Sequence, residues 1–411
     1  MQITLFNCAW TNRGDEAAFR SMVESLRELY PDIHFNLLTH GTKELEQFPY
    51  SDDKVKIYYI RSITRRNHID VPFLFLSRGR LAVSKNIREL IKIIKNSDMV
   101  FHNPGGPSMG DLYPSMQFPS YYKFIITRLF RKPYLFYAPS MGPFENKKEN
   151  ILRRYIFNGA ELVTTREELS AQYYKKLGAK KEITVTADSA LQYRFDAEPY
   201  EKQFNEYKEL NSFLKKYDRI IGITVATLRW HRIHKTDEIE NRISDSFNAF
   251  IDYLKDKGIG VVFIPQIFGN GEGNDYPLMQ KFAKENCFVC DDEHDCFFQQ
   301  HLISKLHAVV GLRYHSNIFS AKMNTPFLSV AYEQKMNGFA KLAGMEDYLI
   351  DITELTFEKL REKFELLEEN HEDVKKHLEE ISPMLYEKAY LTTKLTKEVI
   401  DRYYENGKRD N

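Results

Sequence analysis

Short apolar runs bounded by polar or Gly/Pro turns recur along the chain. In the first half they are ITLFN (3–7), HFNLLTH (34–40), KVKIYYI (54–60), DMVFH (98–102), YLFYA (134–138), ELVTT (161–165) and EITVTADSAL (182–191). Runs of this length with β-branched and aromatic residues predict strands. Between them the apolar spacing becomes helical. It predicts a helix from about Glu16 to Leu29, with Ala17, Met22, Leu26 and Leu29 apolar, and another over Lys85–Ile94. A third, ELSAQYYKKLG, ends at Gly178 as a C-cap. Residues 196–217 are polar and poorly patterned and read as a linker. The alternation then restarts with RIIGITVA (219–226), IGVVFIPQ (259–266), CFVCDD (287–292), LHAVVGLRYH (306–315), TPFLSVAYE (325–333) and DYLID (347–351). From about Phe357 the chain is charged and helical. Repeated strand–helix alternation predicts parallel, doubly wound α/β sheets. Two such halves give two Rossmann-like domains facing a central cleft. The expected divisions are 1–195, a linker at 196–217, a second domain at 218–380, and helices at 381–411 that could cross back to the first domain.

Composition narrows the class. With 58 basic and 58 acidic residues, formal net charge is zero, so bulk charge does not hold this chain on nucleic acid. An anion must instead be captured by a local cluster. At 43% hydrophobic and 28% charged, the 411-residue chain has ordinary globular usage, which excludes disordered, collagen-like and coiled-coil classes. No apolar run is long enough to predict a membrane-crossing helix, and the N-terminus lacks a basic leader pattern, so a cytoplasmic location is expected. Cys287, Cys290, Cys296 and His294 invite a zinc reading. Their spacing on a strand turns residues to opposite faces, so idle thiols are expected instead, with no metal and no cofactor.

Ligands in open α/β sheets sit beyond the carboxyl ends of strands, so the residues following each run carry the chemistry. Asn12-Arg13-Gly14-Asp15 follows the first strand, where Asp15 is either a ligand-facing carboxylate or a helix cap. The loop contains neither a Walker motif nor a dinucleotide fingerprint. Asn103, Gly105 and Gly106 follow a later strand in a Gly-rich loop, and a second tight turn follows at 138–143. Arg166 closes the ELVTT run. In the second half, Arg313 and His315 would face one side of a strand extended to Leu312, while Lys335, Arg229 and His231 follow neighbouring strands. Arginine, histidine and lysine at successive strand ends make a cationic pocket suited to a small ligand carrying phosphate and carboxylate.

Seven segments in this order resemble the polysaccharide pyruvyl transferase family. They are NRGDEA near the start, NPGGPSMGD at 103–111, APSMGPF at 138–144, TTREELS at 164–170, ADSAL at 187–191, GLRYHSNIFSAK at 311–322, and YEQKMNGFAKLAG downstream. The resemblance spans most of residues 1–350. It implies a GT-B-like fold and transfer of the enolpyruvyl-derived group of phosphoenolpyruvate onto two hydroxyls of a hexose. The product would be a pyruvate ketal on a surface or cell-wall polysaccharide precursor, possibly lipid-linked, of a bacterium. Carried over by motif, the donor residues are Arg166, Arg313, His315 and Lys335. Arg229 joins them only by its place after a strand. Asp15, Asn103, Gly105, Gly106 and Asp188 are the acceptor or loop candidates. Where the family often has three glycines, this chain has Asn103-Pro104-Gly105-Gly106.

The implied chemistry gives His315 a proton transfer, since histidine titrates near operating pH. Arg313 and Arg166 would stabilise the departing anion, and Lys335 would add a point charge. Two other readings are a GT-B nucleotide-sugar glycosyltransferase and a non-catalytic glycan- or anion-binding protein. Residues 61–92 carry Arg61, Arg65, Arg66, Arg78, Arg80, Lys85, Arg88 and Lys92 against Asp70 and Glu89, with VPFLFL (71–76) inside the run. Bases interleaved with bulky apolar residues suit an anionic leaflet, so peripheral contact with the inner face of a membrane is expected beside the glycan or lipid-linked oligosaccharide partner.

Overall fold

The computed structural model describes residues 1–40, 49–50, 52–61, 63–112, 114–268, 273–291 and 294–409. The chain divides into two compact units. The first comprises Met1–Trp10, Ala18–Tyr193 and Glu387–Asn411; the second comprises Thr11–Ala17 and Arg194–Tyr386.

The first unit is built on a parallel sheet of β1 (Gln2–Phe6), β2 (His34–Thr39), β3 (Val55–Tyr59), β4 (Met99–His102), β6 (Tyr134–Phe136), β8 (Leu162–Thr165) and β9 (Thr184–Val185). Their order across the sheet is β3-β2-β1-β4-β6-β8-β9. This is the doubly wound order, in which the chain reverses direction between β1 and β4 and opens a crevice at their carboxyl ends. Leu5, Phe35, Leu37 and Phe101 in one core cluster and Phe6, Leu38, Val100 and Phe136 in another make these strands apolar on both faces. The last helix, His371–Arg409, places Val399 and Ile400 in this unit's core with Ile3, Phe35 and Tyr137.

The second unit repeats the plan. Here β10 (Ile220–Thr224), β11 (Gly260–Phe263), β12 (Cys287–Val289), β13 (Ala308–Gly311), β14 (Phe327–Ala331) and β15 (Leu349–Asp351) run in the order β12-β11-β10-β13-β14-β15, all parallel. The reversal lies between β10 and β13. Residues 11–17 belong with this sheet although they come first in the chain. Asn12 bridges Ile267 just past β11, and the Arg13 N–H donates to the Gln266 carbonyl at 2.8 Å.

Several sequence expectations change. The Gly-rich loop and the turn at 138–143 are not simple turns. They form β5 (Gly105–Met109) and β7 (Pro139–Met141), which pair in a separate parallel ribbon. The stretch read as a linker carries helices Glu198–Glu206 and Lys208–Leu214, whose buried Phe204, Leu210 and Phe213 were too widely spaced to register as a pattern. The EITVTADSAL run is a strand for only two residues before Asp188 caps the turn Ser189–Leu191. In the CFVCDD run, Asp292 lies outside the described residues; Cys290 and Cys296 are buried thiols, and burial raises Cys290 above the usual thiol range.

Candidate active site

In the second unit, β13 ends at Gly311 and Arg313 is the N-cap of helix Tyr314–Lys322. Arg313 and His315 therefore do not share one face of a strand, as the sequence suggested. The chain turns into the helix first, and His315 is its second residue. The Arg313 backbone is tied to the sheet by its N–H, which donates to Thr224 Oγ1 at 3.1 Å, at the end of β10. Its guanidinium is buried and forks onto Asp275, with Nε 3.1 Å from Oδ2 and Nη2 on Oδ1. Asp275 is buried at the start of helix Asp275–Phe282, and its Oδ2 also accepts the N–H groups of Gln266 (3.1 Å) and Ile267 (3.0 Å). The carboxylate thus fixes the arginine in a bidentate geometry. Although burial works against the Arg313 charge, Asp275 outweighs it and raises the pKa above the ordinary value.

Tyr332, past β14, is buried close enough to interact with the Arg313 guanidinium, and burial holds its phenol above the ordinary pKa. Next to it, Glu333 Oε2 pairs with Lys335 Nζ at 2.7 Å, and Glu333 Oε1 lies 3.6 Å from His231 Nε2. His231 Nδ1 accepts the N–H groups of Ile233 and His234, which leaves the proton of the neutral ring on Nε2. Burial lowers the His231 pKa, as do His234 and Lys335, against the opposing pull of Glu333. Lys335 also sits 5.5 Å over the Tyr314 ring, whose edge meets His315 at a 5.0 Å centroid distance. One connected network therefore runs Asp275–Arg313–Tyr332–His231–Glu333–Lys335–Tyr314–His315.

The first-strand motif reaches the same place. A Cβ built on Gly14 would overlap the His315 imidazole, so only glycine lets the start of helix Arg13–Leu29 pack against that ring. Arg13 is buried, pairs with Glu16 Oε2 at 2.9 Å and lies over Phe268. Asp15 is not the helix cap. Asn12 Oδ1 accepts the N–H groups of Gly14 and Asp15, and Asn12 Nδ2 donates to Asp15 Oδ2 at 3.1 Å. Arg229 stands apart from the network: it is half exposed and pairs with the exposed Asp237 at 3.0 Å.

The first unit holds the remaining predicted residues. Arg166 follows β8, buried, with Nε on Ser140 Oγ at 2.8 Å and Nη1 on Asp188 Oδ2 at 2.6 Å. Asp188 also accepts the Ala190 N–H. Asn103 follows β4 and is buried, and its Oδ1 has no hydrogen-bond partner among the described residues. Gly105 has φ +139°, which only glycine adopts freely, whereas a Cβ at Gly106 would meet nothing within 4 Å. Beside them, the His102 ring bonds the Asn103 carbonyl through Nδ1 at 2.8 Å and accepts from Ser108 at Nε2. Lys123 is buried and donates to Asn7 Oδ1 at 2.6 Å.

Sequence reading missed Asp275, Tyr332 and Glu333 as parts of the site. The available signals were the YEQK segment for Tyr332 and Glu333, and for Asp275 its place just after Asn274 at a helix start beyond a strand end.

The polysaccharide pyruvyl transferase family model matches residues 12–334. The chain belongs to the polysaccharide pyruvyl transferase family. The matched stretch contains Arg166, Arg313 and His315, and Lys335 lies one residue past it. The amylovoran biosynthesis protein AmsJ of Erwinia amylovora is 22% identical over 95% of this chain and 96% of its own length. The fold is similar to that of the Staphylococcus aureus MnaA–UDP complex (TM-score 0.61, 13% identity, 98% of this chain and 97% of that one). It is also similar to that of a UGT transferase of Siraitia grosvenorii in complex with UDP (TM-score 0.57, 10% identity, 98% and 99%). These likenesses establish a GT-B-like fold. Among the described residues, no helix is long and apolar enough to cross a membrane, and no group of three His, Cys, Asp or Glu could hold a metal ion.

Proposed function

We propose that this polysaccharide pyruvyl transferase takes its pyruvyl group from phosphoenolpyruvate and installs it as a ketal on two hydroxyls of one hexose. The observation that carries the reading is the buried, bidentate Arg313–Asp275 pair in one network with His315 and Lys335 at the reversal point of the second sheet. A small anion with a carboxylate and a phosphate suits a fixed guanidinium fork plus a point charge. In this reading a sugar hydroxyl adds to C2 of phosphoenolpyruvate while C3 takes up a proton. The C2–O bond to phosphate then breaks, phosphate leaves with its electron pair, and the second hydroxyl closes the ketal and gives up its proton. His315 carries the proton to C3 or away from the hydroxyl. Arg313 and Lys335 stabilise the leaving phosphate. Arg166 is assigned to the donor by its motif, and Arg229, which the network does not include, at most steers its approach.

On the acceptor side, Asn103 is the strongest candidate, because its buried Oδ1 is open to a hydroxyl donor. Asp188 and Asp15 are already engaged and are weaker. No metal or cofactor is invoked, since side-chain cations offset the donor charge. A lipid-linked acceptor would bring the protein to an anionic membrane surface, and the exposed apolar and basic residues of 69–95 support that contact.

The test is phosphate release from phosphoenolpyruvate in the presence of glycan acceptors, with and without chelator. Wild type should release phosphate only with acceptor and be indifferent to chelator, and His315→Ala should lower turnover. Turnover of a UDP-sugar instead would move the chain to nucleotide-sugar transfer. Donor binding without turnover on any acceptor would favour a binding role.

A further inference from the structure

The first unit carries a concave surface that the proposed transfer does not use. Arg78, Arg80, Arg88, Lys92, Lys95 and Arg131 line one pocket of about 830 Å³, floored by Ile91, Leu129 and Phe130. Among the described residues, no acidic side chain lines it. Among the described residues, the side chains of Arg78, Arg80, Lys92, Lys95 and Arg131 form no ion pair or hydrogen bond. Six cations gathered without a counter-charge repel one another, so a ligand that neutralises them gains from the whole cluster.

The arrangement is held in place. Arg78 and Arg131 both have φ +54°, a left-handed backbone that costs free energy in a residue other than glycine. Arg78 belongs to a tight turn in which Ser77 Oγ donates to the Phe73 carbonyl and accepts the Leu81 N–H. Asp70 is fully buried and accepts the N–H groups of Val83 (2.6 Å) and Ser84 (2.9 Å). Burial alone would raise the Asp70 pKa, but bonds from Ser84, Val83 and Asn67 hold it below the ordinary value. Arg88 Nη1 closes the far end on the carbonyls of Ala82 and Val83.

The same turn holds an apolar rim in solvent. Helix Asp70–Leu76 buries Leu74 but exposes Phe73 (44%), Phe75 (51%) and Leu76 (88%), and Leu81 follows at 63%. Exposed rings and leucines two to five residues from an unpaired cationic pocket match a leaflet, with acyl chains under anionic headgroups. The position also fits. Lys92, Lys95 and Arg131 lie at the C-terminal ends of helices Lys85–Lys95 and Pro114–Leu129, which lead into the amino ends of β4 and β6. Asn103, Ser140 and Arg166 lie past strand carboxyl ends, at the other edge.

We infer that this pocket binds the phosphate of an anionic phospholipid headgroup while Phe73, Phe75, Leu76 and Leu81 enter the same leaflet. The inference rests on the membrane-contact part of the proposed function and not on its donor chemistry. The test is co-sedimentation of the full chain with vesicles of phosphatidylcholine alone and of equal parts phosphatidylcholine and phosphatidylglycerol, without donor or acceptor. Wild type should bind the mixed vesicles and leave the neutral ones.

A triple Arg80→Ala, Lys92→Ala, Lys95→Ala variant should lose about 100-fold in partitioning, at roughly fivefold per charge near the surface. A Phe73→Ala, Leu76→Ala variant should weaken binding to the mixed vesicles and keep its salt dependence. Both variants should keep the wild-type melting temperature and phosphate release on a water-soluble acceptor, which separates this inference from the transfer chemistry. Failure of wild type to bind mixed vesicles overturns membrane contact altogether. Equal binding by the triple variant keeps membrane contact but overturns the pocket. Inorganic phosphate should displace wild type from mixed vesicles better than chloride at matched ionic strength, and equal displacement by the two anions would overturn the phosphate contact.

Discussion

The two units share one sheet order and one device, a buried arginine just past a strand end held by a buried aspartate, yet they surround it differently. Arg313 pairs with Asp275, and around it stand Tyr332, His231, Glu333 and Lys335. Arg166 pairs with Asp188, and its Nε donates to the Ser140 hydroxyl. The second unit gathers Tyr332, His231, Glu333 and Lys335 around its arginine, whereas the first places the Asn103 amide and the hydrogen-bonded Asn7, His102, Ser108 and Lys123 around its strand ends. One fold thus carries two differently furnished strand-end edges, and the side chains after each strand, not the strands, make the difference.

The largest effect should come from breaking the shared device. Arg313→Ala and Arg166→Ala each strand a buried carboxylate, which should cost about 3–5 kcal/mol of stability in either unit, read by denaturant unfolding. Arg313→Ala should also lower the rate of phosphate release by about 10²–10³-fold. Arg313→Lys should recover little of it, because an ammonium cannot fork onto Asp275. Full recovery by lysine would sink the role given to the bidentate geometry.

A glycine pair sharpens the contrast at the next level. Gly14→Ala forces a methyl into the His315 ring and should cost about 1–3 kcal/mol, with a fall in kcat larger than any change in KM. Gly106→Ala, with open space around it, should stay within about 0.5 kcal/mol of wild type. A silent Gly14→Ala would mean that the ring can swing away without consequence.

The first unit's buried bases give the contrast a pH signature. Burial lowers Lys123 to about 7, and lowers His40 and His102 to about 4. All three folded-state values lie below the unfolded ones, so the unfolded chain holds more protons in each window. Stability should therefore rise as pH goes from about 7 toward the ordinary lysine range, through Lys123, and fall as pH drops from about 6.5 to 4, through the two histidines. Lys123→Met should remove the alkaline rise, so the melting temperature of wild type relative to the variant should increase with pH. A difference that is flat from neutral to alkaline pH would show that Lys123 is not buried as a free amine.

The smallest effect belongs to Arg229→Ala. Its partner Asp237 is solvent-exposed, and such pairs contribute about 0–1 kcal/mol. Stability should hardly move, and kcat should stay near wild type while KM rises modestly at low salt. A loss of kcat comparable with Arg313→Ala would draw Arg229 back into the site.

Much of the fold was legible because strand and helix periods are local properties of the chain. Most of the runs read as strands became strands of two parallel sheets, and Gly178 ends its helix at φ +73° as expected. The misreadings arose where local pattern was weak or ambiguous. The helices at 198–214 bury few residues each, and β5 and β7 carry the glycines and prolines that ordinarily mark turns. The candidate site was legible at Arg166, Arg313, His315 and Lys335 as strand-end residues; Asp188 was named as an acceptor candidate and not as the partner of Arg166, and Asp275 was not named. Asp275 is 38 positions from Arg313 and Asp188 is 22 from Arg166. No local window contains either pairing.

The sequence by itself determined the alternation, the strands and their carboxyl ends, and so which residues could meet a ligand, because side-chain period and turn chemistry act over a few residues. Tertiary structure alone decided which charges are paired, that Gly14 meets His315, that the last helix returns to the first unit's core, and that Phe75 and Leu76 face solvent while Leu74 does not. Those outcomes depend on sheet order and on packing between segments far apart in the chain, where the energy of a buried ion pair or an exposed ring is set by neighbours that no local window contains.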